Sequence, residues 1–323
     1  MSSSILPQPL EALESVLANR LVVRAQSDAA SISPSLADHH IQVEVDGSDI
    51  YLNIQSSQSK TSAFHLVFTA DTTPLDAHLH LTLEADAQFE LIEWVVGRRR
   101  HPFTLQVTAT LGARARLQHT TISDVELETP LSVMRRATLY EGAQLLTTHA
   151  AFASALTHQE QHIYLKGVRA EATARLVALT DDKQEALFKT TIEHHAPDTS
   201  GLIEHYGVAN ASSTLLFEGS SIIHKGMKRS QARQSNKGLI IGEQARLDAN
   251  PLLLIDEYDV EAGHGAAIGQ IDDQQLYYLM SRGLNRKTAE RLIINGYLAP
   301  LKAVITDETL TRHIETLLES KTK

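Results

Sequence analysis

Between residues 41 and 269 the chain is written mostly in short runs of alternating apolar and polar residues, and several of the turns between them resemble one another. Ile41-Gln-Val-Glu-Val-Asp46 and Ile50-Tyr-Leu-Asn-Ile-Gln55 alternate on either side of the turn pair Asp46-Gly47. His78-Leu-His-Leu-Thr-Leu83, Phe103-Thr-Leu-Gln-Val-Thr108 and His162-Ile-Tyr-Leu165 alternate further on. A period of two puts every second side chain on one face, so such runs predict half-buried strands. The turn segments Leu111-Gly-Ala-Arg-Ala-Arg-Leu117, Glu141-Gly-Ala-Gln-Leu145 and Ile241-Gly-Glu-Gln-Ala-Arg-Leu247 place Gly112, Gly142 and Gly242 in equivalent positions ahead of an apolar residue. A weak, irregularly spaced repeat of this kind suits a solenoid whose coils stack strand on strand around a narrow continuous core. A β-sandwich shares many of these signs, and periodicity alone favours the solenoid only modestly. An aromatic content of 5% fits an interior of small and branched side chains.

The two ends read differently. Leu10, Leu13, Val16, Leu17 and Leu21 recur at helical spacing behind Pro9, which predicts a short amphipathic helix within an N-terminal segment, residues 1–35. The β region occupies residues 36–270 and a helical domain residues 271–323. In that domain Asp272 caps a helix carrying Leu276, Leu279 and Met280 that stops at Gly283. Asn285 caps a second, carrying Ala289, Leu292 and Ile293, that stops at Gly296. Leu310, Ile314, Leu317 and Leu318 mark a third.

Composition excludes several classes. A net charge of -10 argues against a nucleic-acid partner. No apolar run approaches a membrane span, and the start of the chain lacks a secretory signal, so a cytoplasmic protein is expected. There is no cysteine, which removes disulfides, thiolate catalysis and all-cysteine metal sites. Because cluster irons are held mainly by thiolates, no cofactor is expected to bind this chain alone. No glycine-rich phosphate loop ending in Lys-Ser/Thr occurs, so ATP would bind elsewhere.

The stretch Asp248-Ala-Asn-Pro-Leu-Leu-Leu-Ile-Asp-Glu-Tyr-Asp-Val-Glu-Ala-Gly-His-Gly-Ala-Ala-Ile-Gly269 resembles the signature of the SufB/SufD family of iron–sulfur cluster assembly proteins. Leu276-Tyr-Tyr-Leu-Met-Ser-Arg-Gly-Leu284, Ala289-Glu-Arg-Leu-Ile-Ile-Asn-Gly-Tyr297, His195-Ala-Pro-Asp-Thr-Ser200 and Ala232-Arg-Gln-Ser-Asn-Lys-Gly-Leu239 continue the resemblance, in order. Glu261-Ala-Gly-His-Gly265 resembles the SufD-type form of the pattern, with its histidine, where the SufB-like form reads Glu-Ala-x-x-Ser-Lys. Some SufD proteins carry a cysteine two residues before that histidine; Ala262 stands there in this chain. The resemblance implies a right-handed parallel β-helix with a C-terminal helical domain. It implies pairing with a SufB-like subunit through the β-helix and docking of a SufC-like ATPase on the helices. The role it implies is a non-catalytic scaffold in a SufBCD complex, and an isolated chain is a candidate homodimer through the same edge.

His264 is the candidate metal residue. A neutral imidazole is a competent iron ligand, and Gly263 and Gly265 leave room for a close approach. The resemblance places the matching histidine at the SufB interface, as a candidate ligand of an iron–sulfur cluster shared with SufB; the plain alternative is a histidine that only hydrogen-bonds. Glu257, Asp259 and Glu261 read as a charged edge rather than as ligands. His194 and His195, being adjacent, point to opposite faces of a strand and are not expected to share an ion, and the remaining histidines lack ligand spacing. Arg98-Arg99-Arg100 reads as a solvated turn, and Lys225, Lys228, Arg229 and Arg233 as a basic rim or a strip facing an acidic partner. Tyr277, Tyr278, Met280, Arg282 and Tyr297 form the candidate SufC-docking set; its apolar members are expected to pack the small domain's core, with the exposed remainder facing the ATPase.

Two other readings compete. A β-helix polysaccharide lyase needs carboxylates with a metal or basic residue and aromatic sugar platforms, which a chain with one tryptophan, Trp94, fits poorly. A SufB-like homodimeric scaffold is closer, but the absence of cysteine and the pattern around His264 argue against it.

Overall fold

The computed structural model describes residues 20–24, 31–32, 41–55, 63–69, 75–99, 103–127, 131–152 and 156–298. Two long sheets face each other. The first contains β1 (Arg20–Arg24), β2 (Ser31–Ile32), β5 (Phe64–Thr69), β7 (Gln88–Arg99), β9 (Arg116–Leu127), β11 (Gln144–Phe152), β13 (Glu171–Thr180), β15 (Ser200–Ala209), β17 (Gln231–Ile240) and β19 (Glu261–Gln270). The second contains β3 (Ile41–Asp46), β4 (Asp49–Ile54), β6 (Leu75–Leu83), β8 (Phe103–Leu111), β10 (Leu131–Leu139), β12 (Leu156–Leu165), β14 (Glu185–His194), β16 (Thr214–Ile223) and β18 (Arg246–Ile255). Apart from β1–β2 and β3–β4, every pairing is parallel; β1 pairs with β5, and from β4 onward each pairing skips one strand in sequence, because the chain passes to the opposite sheet and back before laying the next rung. The result is a β-solenoid of about seven coils.

Local alternation explains why these strands stack. In β8 and β10 the odd positions are buried and the even ones exposed or half-buried. Register then aligns like with like: Leu83, Leu111, Leu139 and Leu165 form one inward column across four coils. Each such leucine contributes roughly 1.5–3 kcal/mol by burial. The next rung of that column is His194, which is fully buried, and the one after is Ile223.

One corner is built on a repeated left-handed residue. Asp86, Arg114, Gly142, Arg169, Asp198 and Arg229 all have φ between 56° and 64°. The N–H of Arg114 donates to Glu141 O on the next coil, that of Gly142 to Val168 O, and that of Asp198 to Lys228 O. The three glycines expected to be equivalent are not. Gly142 belongs to this left-handed set, whereas Gly112 and Gly242 sit where one coil's backbone presses on its neighbour: a Cβ on Gly112 would meet the Glu84–Ala85 backbone, and one on Gly242 the backbone of Ala211. Gly167 is the tightest such contact, against Tyr140 and Glu141. Gly167→Ala is therefore expected to destabilise by about 3 kcal/mol or more, through forced backbone displacement. Gly142→Ala, which is strained but not blocked, should cost about 1–2 kcal/mol. Urea unfolding of the two variants checks the ranking, and equal midpoints would contradict it.

Two helices follow the last coil: α1 (Asp273–Ser281) and α2 (Arg286–Tyr297). The Asp272 side chain accepts from the Gln274 N–H and Asn285 from that of Thr288, as the cap residues predict. Gly283, with φ 94°, ends the first helix region, but Gly296 lies within α2 rather than ending it. Ile294 and Leu298 pack against the outer face of the first sheet, in a cluster with Phe152, Leu179, Val208 and Leu239. That sheet is thus apolar on both faces, as parallel sheets usually are. The expected N-terminal helix lies outside the described residues save for Leu21, which stands in a strand, β1. The third C-terminal helix, from Leu310 to Leu318, also lies outside them.

Candidate functional site at the open end of the solenoid

Among the described residues, no strand covers the solenoid's C-terminal coil. β18 and β19 are the last strands of their sheets, each with one paired edge and one free edge among the described residues. The difference from the coil before is direct. Inward residues of β16 are buried, whereas their β18 partners Ala249, Pro251, Leu253 and Ile255 are only half-buried, and β19 is exposed along its whole length. Leu252 and Leu254 on the outer face, Ile268 and the fully exposed Tyr258 add apolar surface to this rim. A free parallel edge presents a row of unpaired N–H and C=O groups, which is a template for another strand.

His264 stands on this edge. It is paired with Gln234 of β17, and through it belongs to the inward column His119, Thr147, Ala174, Ile203, Gln234, His264. The imidazole is thus at the mouth of the solenoid, on the interior side, and exposed. A Cβ at Gly263 or Gly265 would touch nothing, so both flanks are open. Ala262 shares the His264 face, as alternation predicts, and Glu261 takes the other, 3.3 Å from Arg233.

Behind the mouth one seam of the interior is polar, beside an apolar cluster that includes Phe188, Leu215 and Phe217. Glu93, fully buried on β7, accepts from Arg135 Nη2 at 2.5 Å and lies 3.2 Å from His119 Nε2. Burial pushes its carboxyl up, but the Arg135 guanidinium and His119 outweigh this and hold it at about 2. One rung on, burial pushes the His149 imidazole well below its usual range, with Arg135 acting in the same direction. His205 bridges Asn236 Oδ1 (2.9 Å) and Thr190 Oγ1 (3.0 Å), and burial lowers it to about 4 against the opposing pull of Asn236. The seam ends at Gln234, whose amide donates to Ser221 Oγ and to Leu252 O on the terminal coil.

The other anticipated residues fall as follows. Tyr277, Tyr278 and Met280 are exposed on α1, and Arg282 lies over the Tyr278 ring at 5.1 Å. Tyr297 is half-buried beside Ile294 against the sheet, and Leu292, also exposed, lies on α2. Two of the basic cluster's residues find acidic partners within the chain: Arg229 makes a two-point contact with Asp198, at 2.6 Å for both, and Arg233 meets Glu261. Glu257 accepts from the backbone N–H groups of Gly226, Tyr258 and Asp259, which hold its carboxyl below the usual range. Arg98 and Arg99 continue strand β7 rather than forming a turn, and Arg100 lies outside the described residues.

His194 and His195 do point apart. His194 is interior, held by Thr199 Oγ1 at 2.7 Å, and burial lowers it to about 4. His195 is on the surface, where it joins Glu193 and His224. That grouping, and a second of Asp49, His78 and His80, shows that the histidines are not scattered. Each grouping joins a pair two residues apart, Glu193 with His195 or His78 with His80, to a third residue 29 to 31 positions away on a neighbouring coil, so no short-range motif signals the full set.

These features define a parallel β-solenoid with an open terminal coil, a histidine at its mouth and two docked helices. The chain belongs to the family described as "SUF system FeS cluster assembly, SufBD core domain", which residues 66–297 match. It is 38% identical over 167 residues to the iron–sulfur cluster assembly protein SufD of Bacillus subtilis, covering 52% of this chain and 38% of that protein. It is 27% identical over 240 residues to SufD of Escherichia coli, covering 73% and 56%. A SufBD family protein of Pyrococcus horikoshii is 26% identical over 278 residues, covering 82% and 60%. The chain thus spans between 38% and 60% of the length of these relatives, less than two thirds of each. No described helix is long and apolar enough to cross a membrane.

Proposed function

We propose that the chain is a SufD-type, non-catalytic scaffold subunit of an iron–sulfur cluster assembly complex, a cytoplasmic protein with the family's right-handed coil. The observation that carries this reading is the free edge of β18 and β19, with His264 at its mouth, in a chain of the SufBD core family. A SufB-like subunit continues the sheets across that edge, by strand addition. The nascent cluster is cargo, and this chain offers it one imidazole. With no cysteine present, the remaining ligands come from the partner. The exposed flanks at Gly263 and Gly265 fit such a shared site, since nothing among the described residues blocks a second subunit there. Tyr277, Tyr278, Met280 and Arg282 face the SufC-like ATPase, with Tyr297 anchoring the helix behind them.

Co-expression with SufB- and SufC-like partners, followed by size-exclusion chromatography and iron and sulfide analysis, tests the reading. A 1:1 association with the SufB-like chain is expected, with iron and sulfide falling at least several-fold in His264→Ala. The double variant Tyr277→Ala/Tyr278→Ala should weaken SufC retention at least tenfold, about 1.4 kcal/mol, while sparing the SufB contact. Unchanged iron and sulfide in His264→Ala would remove the ligand role. A chain that dimerises with itself and ignores the SufB-like partner would favour the homodimeric scaffold instead.

A further inference from the structure

The outer face of the second sheet carries a side-chain cluster unrelated to the solenoid mouth. Glu193, near the end of β14, lies between residues of the coils on either side. Its Oε1 is 2.6 Å from His224 Nε2 and 3.2 Å from His195 Nε2, and its Oε2 is 3.1 Å from His162 Nε2. The rings of His195 and His224 lie 4.6 Å apart, and Tyr164 stacks on His162 at 4.3 Å. Lys166 sits over the far side of this group, 5.8 Å from the Tyr164 ring centre.

We propose that Glu193, His195 and His224 form a binding site for a divalent first-row transition-metal ion such as Zn²⁺ or Fe²⁺. Three arguments support it. The donor set of two imidazoles and one carboxylate is the set such ions take, with positions left for water. The spacing is within reach of one ion: donors about 2.1 Å from an ion, at tetrahedral or octahedral angles, lie roughly 3.0–3.4 Å apart, the range of the 3.2 Å from Glu193 Oε1 to His195 Nε2. The 2.6 Å to His224 Nε2 opens by a few tenths of an ångström when an ion enters, and all three donor atoms lie within 4.8 Å of one another. The support is rigid, because the ladder fixes the backbone on both sides, with the His195 N–H donating to Leu165 O. His162 is a positioning residue: by donating to Oε2 it leaves Oε1 turned toward the other two imidazoles, the outer-sphere arrangement common around metal carboxylates. Glu193 is 16% exposed and His224 43%, so the carboxylate is sheltered while an ion enters from solvent.

The test uses the full chain, stripped of metal with a chelator, and equilibrium dialysis against Zn²⁺ and, anaerobically, Fe²⁺, with elemental analysis. Wild type is expected to bind an ion that His195→Ala/His224→Ala fails to bind, lowering stoichiometry by about one per chain. Any binding at Asp49, His78 and His80 should remain, and Asp49→Asn reads that contribution separately. His162→Ala should weaken the Glu193 site about tenfold without abolishing it. Co²⁺ substitution gives a second readout, a visible spectrum lost in Glu193→Gln. If the double alanine variant unfolds, His224→Gln serves in its place. Stoichiometry and spectrum unchanged in the folded variants, or no wild-type binding at millimolar ion, would overturn the proposal.

Discussion

Acidification from pH 6.5 to 4 is expected to remove several kcal/mol of stability. The cause is neutral histidine in the interior. His194 and His205 are fully buried with imidazoles held at about 4, and His149 is held well below its usual range. In the unfolded chain each takes up a proton near pH 6.5. Between pH 6.5 and 4 the unfolded state therefore binds more protons than the folded one, so stability falls as pH falls. The contribution is fully present above pH 6.5 and is lost as pH drops to the folded value near 4, at about 3 kcal/mol for each of His194 and His205. Glu93 acts in a lower window: its contribution is present above about 4.5 and lost as pH falls toward 2. Urea midpoints at pH 7.5, 6, 5 and 4 measure the slope. His205→Gln should flatten it by about one proton, and a midpoint constant from pH 7 to 4.5 would contradict the assignment.

Glu93→Ala should be among the most damaging single substitutions, at about 3–5 kcal/mol, because it leaves the Arg135 guanidinium buried with its carboxylate gone. Gln159 and Thr121 lie at 3.4 and 3.5 Å from the guanidinium and do not replace that charge. Removing both charges, as Glu93→Leu/Arg135→Met, is expected to recover much of the loss, since a buried pair repays little more than its own desolvation. Chemical denaturation of the three variants measures this. A loss below about 1 kcal/mol in Glu93→Ala would mean that water reaches the pair.

Several features were legible because their causes are local. Alternation in Phe103–Thr108 needs only the period-two geometry of a strand, and the structure buries its apolar residues as the pattern predicts. Asp272 and Asn285 cap helices because each side chain reaches an N–H two or three residues ahead. The solenoid was readable at the level of stacked coils, and the family resemblance named its class. The equivalence of Gly112, Gly142 and Gly242 failed for a physical reason: glycine serves left-handed backbone at one position and close approach of coils at the others. Two members of the basic cluster, Arg229 and Arg233, meet Asp198 and Glu261 of this chain on neighbouring coils, contacts across 31 and 28 residues that no local pattern signals.

By itself, then, the sequence determined which residues alternate, where the helices begin, and that no thiolate can serve a metal. Only the tertiary structure decided which side chains meet. Glu93 finds Arg135 across 42 residues, and Glu193 finds His162 and His224 across 31 in either direction. Such contacts depend on the length of each coil and the register of each ladder. Both emerge from the packing of the whole stack, and no stretch of chain shorter than a coil carries that information.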